Sequence, residues 1–289
     1  MKLTYENENN QKIELKYSAP FFLQSIEGEY GLTNIITSNS NAYIDGSTVI
    51  NTRIDNRYLS ITGIIKTNTV NELIDKRIEL IKIFNPKFKG KLIYENGDIK
   101  RVIDCYIEDA PKFTDRNVKI QKHFRISLYC PYPYWRDESD SKVDIALWEG
   151  SFHFPLIIPA DSGVYMGVRN PSLIVNVNNT GDVESGVIIE FKALGTLRNP
   201  SLFNVNTREF FKINKAMVEG EVIRVNTNIG NKRVTQFLNG VETNILNLID
   251  LESTFLQLKV GDNLFRYDAE ENLNNLEVSI YYNPMYLGV

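Results

Sequence analysis

Lys89-Gly90-Lys91-Leu92-Ile93-Tyr94-Glu95-Asn96-Gly97-Asp98-Ile99-Lys100-Arg101-Val102-Ile103-Asp104-Cys105-Tyr106-Ile107 sets two apolar runs on either side of an Asn-Gly pair. Such a pair accepts positive φ at little cost, and type I′ turns, whose twist matches that of paired strands, need it at both central positions. Residues 89–94 are therefore expected to pair with residues 100–107 as a β-hairpin. Working outward, alternation with period two recurs in Ile13, Leu15 and Tyr17, in Leu59, Ile61, Gly63 and Ile65, and in Val118, Ile120, Lys122, Phe124, Ile126 and Leu128. Each reads as a half-buried strand with one core face and one polar face.

One segment departs from this period. Val70, Leu73, Ile74, Ile78, Ile81 and Phe84 recur at steps of three and four, which predicts a helix with a single apolar stripe. Thr69 and Glu72 form the capping-box pattern, in which each side chain accepts from the other's amide. Asn85-Pro86 ends the helix, because proline disfavours helical geometry at the residue before it. Glu72 and Lys76 are spaced as an i,i+4 ion pair.

The chain has 289 residues, 43% hydrophobic and 24% charged, which is enough apolar material for a sizeable core. That length suggests two domains at about 100–200 residues each. Pro131-Tyr132-Pro133-Tyr134-Trp135 followed by Arg136-Asp137-Glu138-Ser139-Asp140-Ser141-Lys142 reads as a stop and then a solvated linker. Domains of 1–135 and 136–289 follow. Lys and Arg outnumber Asp and Glu by 19 to 16 up to Trp135, and are outnumbered 13 to 20 after it. Neither half has the basic excess of a nucleic-acid binder. In the second half, strands are expected at residues 173–177, 187–194, 221–226, 232–238, 263–268 and 276–282, with turns at Asn178-Asn179-Thr180-Gly181-Asp182, Val218-Glu219-Gly220, Asn239-Gly240 and Val260-Gly261-Asp262-Asn263. Short strands at this spacing indicate a β-sandwich. Arg169-Asn170-Pro171-Ser172-Leu173 recurs as Arg198-Asn199-Pro200-Ser201-Leu202, read as strand-entry chemistry used twice.

The residues that would carry catalysis are sparse. There are two histidines: His123, on the polar face of a strand, and His153, in Ser151-Phe152-His153-Phe154-Pro155. No nucleophile elbow, phosphate-cradling loop or metal-spaced His/Cys cluster occurs. Cys105 and Cys130 lie in apolar strand-like runs and are expected buried and reduced. The acids Asp137, Glu138 and Asp140 have no His or Cys beside them. No cofactor, metal or enzymatic activity is expected. The N-terminus lacks a secretory core and no apolar run reaches about 18 residues, so a cytoplasm-like compartment until lysis, with no membrane insertion, is expected.

The order of motifs resembles the distal tail protein family of long-tailed phages. In the first half the matching stretches are Phe22-Leu23-Gln24-Ser25-Ile26-Glu27-Gly28, Ile44-Asp45-Gly46-Ser47, Arg57-Tyr58-Leu59-Ser60-Ile61-Thr62-Gly63, Ile83-Phe84-Asn85-Pro86, the hairpin quoted above, and Leu128-Tyr129-Cys130-Pro131-Tyr132-Pro133-Tyr134-Trp135. In the second they include Val218-Glu219-Gly220-Glu221, Phe255-Leu256-Gln257-Leu258-Lys259-Val260-Gly261-Asp262-Asn263 and Tyr281-Tyr282-Asn283-Pro284-Met285-Tyr286-Leu287-Gly288-Val289. The resemblance implies a mainly β chain: an N-terminal β-sandwich-like domain with one helix and a hairpin, then a C-terminal galectin-like β-sandwich. It also implies a self-assembled ring, usually hexameric, at the distal end of the virion tail. Such a ring joins the tail tube or tape-measure end to the tail-associated tip protein, and in many phages carries receptor-binding proteins.

The alternative is a carbohydrate-binding module that meets host cell-wall glycans. True galectins carry His-x-Asn-x-Arg and Trp-x-x-Glu patterns, and His153-Phe154-Pro155-Leu156 and Trp148-Glu149-Gly150-Ser151 match neither. Ring closure needs two different patches on each subunit, and exposed β-edges are natural material for them. The candidate is the central hairpin, through Lys89, Lys91, Tyr94, Asn96, Gly97, Lys100 and Arg101, whose positive charges are expected to face acids of the adjacent subunit. The other expectation is that this hairpin closes the first domain's own sheet.

Overall fold

The computed structural model describes the chain except for residues 44, 115–118, 146–147, 151–166 and 170–173, with backbone alone at 148–150 and 167–169. Val118, His153 and residues 170–173 of the first Arg-Asn-Pro-Ser-Leu copy thus lie outside the described residues. Two compact units divide the chain: Met1–Glu138 together with Met285–Val289, and Ser139–Pro284. The last five residues belong to the first unit, which a division into 1–135 and 136–289 does not provide for.

In the first unit the strands are β1 (Lys2–Asn7), β2 (Lys12–Lys16), β3 (Phe21–Glu27), β4 (Asn34–Asn39), β5 (Thr48–Ile54) and β6 (Arg57–Lys66), followed by α1 (Val70–Ile83). Next come β7 (Lys89–Asn96), β8 (Ile99–Thr114), β9 (Gln121–Cys130) and β10 (Trp135–Arg136). The short β25 (Met285–Tyr286) returns from the chain's end to pair with β10. One sheet runs β25-β10-β8-β7-β1-β2-β3-β6-β9, and β9 then pairs with β8. The sheet therefore closes on itself. Closure is possible because β8 is long enough to serve twice. Its first half pairs with β7 and its second half with β9, with register shifts between Ile107 and Asp109 and between Asp109 and Lys112. Such irregularities bend a strand and sharpen its twist.

Alternation fills the interior largely as expected: Leu59, Ile61 and Ile65 from β6, Phe124, Ile126 and Leu128 from β9, and Leu3, Leu15, Leu92 and Ile103 are buried, whereas Ile120 of the same expected row precedes β9 and is exposed. Tyr17 falls one residue past β2 and is exposed, so only Ile13 and Leu15 of that trio face the core. Gly63, opposite Phe124 in the β6–β9 ladder, is the one gap in the apolar row. A Cβ there would overlap the Phe124 ring. The glycine is the space into which the phenyl group fits.

The hairpin pairs Lys89 with Tyr106 and Tyr94 with Arg101, as expected, but its turn is shifted by one residue. Asn96 pairs with Ile99, so Gly97 and Asp98 are the central residues, and of these only Gly97 has positive φ. That is the type II′ pattern, not I′. The type I′ pattern does occur at the other Asn-Gly site, where Asn239 and Gly240 both take positive φ.

The helix begins and ends where expected. Thr69 Oγ1 accepts from the Glu72 amide at 3.3 Å, while the Glu72 carboxylate accepts from Asn68, not Thr69. Lys76 pairs with Glu79 at 2.8 Å in place of Glu72. Leu80, Ile83 and Phe84 are buried, with Phe84 stacked on Tyr5 at 4.2 Å. Burying side chains of this size contributes roughly 1.5–3 kcal/mol each, which anchors a helix too short to be stable alone. The expected single stripe is in fact two faces: Val70, Ile74, Ile78 and Ile81 are exposed.

Arg57, at the start of β6, is buried, and its guanidinium is bonded to backbone oxygens. It donates to the carbonyls of Pro133 (2.7 Å), Gly28 (2.6 Å) and Leu287 (2.5 Å). Burial pulls its guanidinium below the ordinary value. Trp135 lies beside it, 5.9 Å from ring centroid to guanidinium, and donates to the Glu29 carbonyl at 3.2 Å.

The second unit contains β11 (Ser141–Ile145), β12 (Trp148–Gly150), β13 (Gly167–Arg169), β14 (Ile174–Asn179), β15 (Ser185–Ala193), β16 (Leu197–Asn204), β17 (Phe210–Lys212) and β18 (Ala216–Met217). It continues with β19 (Val222–Asn226), β20 (Arg233–Leu238), β21 (Val241–Asn244), β22 (Gln257–Leu258), β23 (Gly261–Glu271) and β24 (Leu276–Tyr282). One sheet runs β11-β24-β15-β19-β20-β21 with β22 on β15, and a second runs β14-β23-β16-β17 with β18 on β16. Ile189, Phe191, Ile223 and Ile280 of the first share one core with Val177, Leu202, Phe211 and Phe265 of the second, a β-sandwich. The second Arg-Asn-Pro-Ser-Leu copy lies inside β16 and not before it. Asn199 takes positive φ there, and the ladder to β23 passes from Arg198 to Pro200.

Candidate assembly interface

The hairpin proposed from sequence as a ring contact has neither edge bare. β7 pairs along its other side with β1, and β8 meets β10 at Val102 and Arg136. Three of its four cations, Lys91, Lys100 and Arg101, are also answered within the unit. Lys91 lies 3.1 Å and Lys12 3.3 Å from the nearly buried Glu6 carboxylate. Burial pushes the Glu6 carboxyl up, but the ion pairs with Lys91 and Lys12 outweigh it and hold the group below its ordinary value. Lys100 is ion-paired with Glu138, and Arg101 is ion-paired with Asp137 while stacking 3.4 Å from the Tyr286 ring. Tyr94 is buried edge-on to Trp135 at 6.1 Å. Of the seven residues, Lys89, Asn96, Gly97 and Lys100 are exposed, and the other three are wholly or partly inside the unit. The expected solvated linker is likewise occupied: Asp137 and Glu138 hold the hairpin's cations, and Asp140 accepts from Asn283 at 3.0 Å.

A different element has bare edges. β4 and β5 pair only with each other, as a two-stranded ribbon outside the closed sheet. Its base is closed by the Asp55 amide donating to the Thr33 carbonyl at 2.9 Å. Beyond that base almost every residue is exposed, including Ile36 at 58%, Ile50 at 67% and Tyr43 at 99%. A two-stranded ribbon without a packed face is marginal in water. Bare edges are usually guarded by charge, yet the two strands carry only Arg53. Sequence reasoning passed over this arm because Asn34-Ile35-Ile36-Thr37-Ser38-Asn39 does not alternate cleanly, and no core selects its register.

Chemistry that could compete with assembly is thin. His123 Nδ1 lies 3.2 Å from Gln24 Oε1 on the surface. Cys105 and Cys130 are fully buried and unbridged; burial raises both thiols, that of Cys130 to about 12. Among the described residues no group of three His, Cys, Asp or Glu could hold a metal ion, and no helix is long and apolar enough to cross a membrane.

Two family models match the chain. The phage tail protein RIFT-related domain covers residues 8–130, and the C-terminal domain of the siphovirus-type tail component covers residues 180–286. Among solved structures, the Dit protein of phage SPP1, described as a paradigm of the hub adsorption apparatus in phages infecting Gram-positive hosts, is similar over 98% of both chains, with a TM-score of 0.71 and 14% identity. A chain of the phage p2 baseplate in its activated conformation is similar over 98% of both chains, with a TM-score of 0.53 and 9% identity. At these identities the likeness to solved structures is one of fold. No curated protein sequence matches the chain.

Proposed function

We propose that this chain, which belongs to the siphophage distal tail protein family and is a structural component of the virion tail, assembles with copies of itself into a ring that joins the tail tube to the tip. A six-membered ring is the form the family resemblance implies. The tube or tape-measure end is its partner on one side and the tail-associated tip protein on the other, with receptor-binding proteins as further cargo. In this reading the chain does no chemistry.

The observation that carries the reading is the arm formed by β4 and β5. The closed sheet of the first unit leaves only the two-residue β25 at an edge, whereas this ribbon offers two long edges, together with apolar side chains that stay exposed in its own unit. We therefore put the ring contact on the arm in preference to Lys89, Lys91, Lys100 and Arg101. Light scattering after size-exclusion chromatography, with negative-stain imaging of the peak, tests it. A particle with a central opening and a mass several times 33.2 kDa is expected. A monomer at every concentration, including in mixtures with the tube and tip proteins of the same particle, would defeat the proposal.

A further inference from the structure

The helix α1 has an apolar face that its own unit leaves uncovered. Val70, Ile74, Ile78 and Ile81 are 48%, 42%, 55% and 46% exposed. At about 100° per residue these four fall within a sector of about 80°, distinct from the sector of Leu80, Ile83 and Phe84 that enters the core. Helix propensity does not ask for them, since β-branched residues are among the weaker helix formers. Four of them in one stripe on the solvent side are the composition of a contact.

We propose that this stripe receives the β4–β5 arm of the neighbouring copy. Three observations select that occupant. The first is position. The arm joins β6 at Arg57, while α1 begins four residues beyond the other end of that strand at Lys66. Ten residues of strand span about 33 Å, so the two uncovered features lie toward opposite ends of β6. A ring requires a contact in which one patch meets a different patch on the next subunit. The second is size: residues 33–55 number 23, about the 20–30 residues that one side of a standard interface uses. The third is charge. Arg77 and Lys82 border the stripe, and neither has an ion pair among the described residues; Asp45 places an acid, also without one, at the arm's tip. Ile36, exposed on the ribbon face shared with Thr52, supplies an apolar side chain to match the stripe.

This placement rests on the chain forming a ring, and the test separates the two claims. Full-length Ile36→Cys and Ile78→Cys proteins are mixed, allowed to assemble and treated with a short bis-maleimide; the native cysteines are buried and silent. A covalent dimer joining position 36 of one copy to position 78 of another, found by mass spectrometry in the mixture and absent from either variant alone, is the expected result. In parallel, Ile74→Asp with Ile78→Asp should weaken assembly at least tenfold while leaving the thermal midpoint within a degree or two, because both side chains point outward. Rings that form without the 36–78 link, or that tolerate the paired aspartates, overturn the helix as the arm's receiver and leave the ring intact. Failure of the unmodified protein to form any ring overturns both.

Discussion

Arg57 and Leu287, 230 positions apart, are joined by a 2.5 Å hydrogen bond from the guanidinium to the backbone carbonyl. The same guanidinium holds Gly28 and Pro133 through their carbonyls, so one buried cation gathers three segments of the first unit. Hydrogen bonds to a charged group each contribute about 1.5–3 kcal/mol. Lysine is a point charge on a flexible stem and cannot reproduce the planar fork. Arg57→Lys should therefore cost on the order of 3 kcal/mol. Urea unfolding followed by Trp135 fluorescence in a Trp148→Phe background reads this directly; an unmoved midpoint would show that the three carbonyls are satisfied without Arg57.

Tyr5 is buried and stacked on Phe84, yet its hydroxyl has no hydrogen-bond partner among the described residues. Leaving a buried polar group unpaired costs about 1–3 kcal/mol. Tyr5→Phe should therefore raise the stability of the first unit, by roughly 1 kcal/mol. The hydroxyl lies against Gly90, where an added Cβ would overlap it. Gly90→Ala should destabilise by about 1–3 kcal/mol through overpacking, and the two substitutions together should recover part of that loss. Calorimetric midpoints for the three variants decide the matter, and a Tyr5→Phe protein that melts lower than the parent would contradict it.

Glu6 supplies a pH dependence whose sign is fixed by its lowered folded value. A carboxylate depressed on folding contributes stability that is fully present above its unfolded value, near 4.5, and is lost as pH falls through the folded one. Glu6→Gln should then be less stable than the parent at pH 7, with the gap narrowing below pH 4.5. Equal gaps in the urea midpoint at pH 7 and pH 3 would remove Glu6 from the acid response. Lys91→Glu, placing a second carboxylate beside Glu6, should destabilise the fold itself; its effect on assembly would be indirect.

Replacing β4 and β5 with a short Gly-Ser turn between Thr33 and Asp55 tests the arm. The bond between those two residues already closes its base, and the closed sheet draws no pairing from the ribbon. The variant should keep the parent's thermal midpoint for the first unit and sediment as a monomer. A variant that still assembles would return the ring contact to another surface.

The fold was legible where a local pattern and a buried face agreed. Ile61 and Phe124 announced their strands through period two, and Thr69 and Pro86 bracketed the helix. What escaped depended on partners distant in sequence. Arg57 looks like any strand-end cation until Gly28, Pro133 and Leu287 converge on it. Lys91, Lys100 and Arg101 looked free because Glu6, Glu138 and Asp137 lie elsewhere in the chain. The helix stripe misled in a further way: Leu73, Ile74, Ile78 and Ile81 satisfy one helical period, but a period reports that a face is apolar and not which surface it meets. The same limit hid the arm, whose edges are informative only once the rest of the sheet is seen to close.

The return of Met285–Val289 to the first unit has a consequence for synthesis. A chain emerges from the ribosome in order and its domains generally fold as they appear. Here the strand that pairs with β10, and the carbonyl that completes the hold of Arg57, are translated after the whole of residues 139–284. The first unit can close its sheet early but cannot finish until codons 285–289 have been read. Nascent chains cut short anywhere in the second unit lack the tail that completes the first, so premature products are marked by an unfinished N-terminal half as well as by the part they are missing.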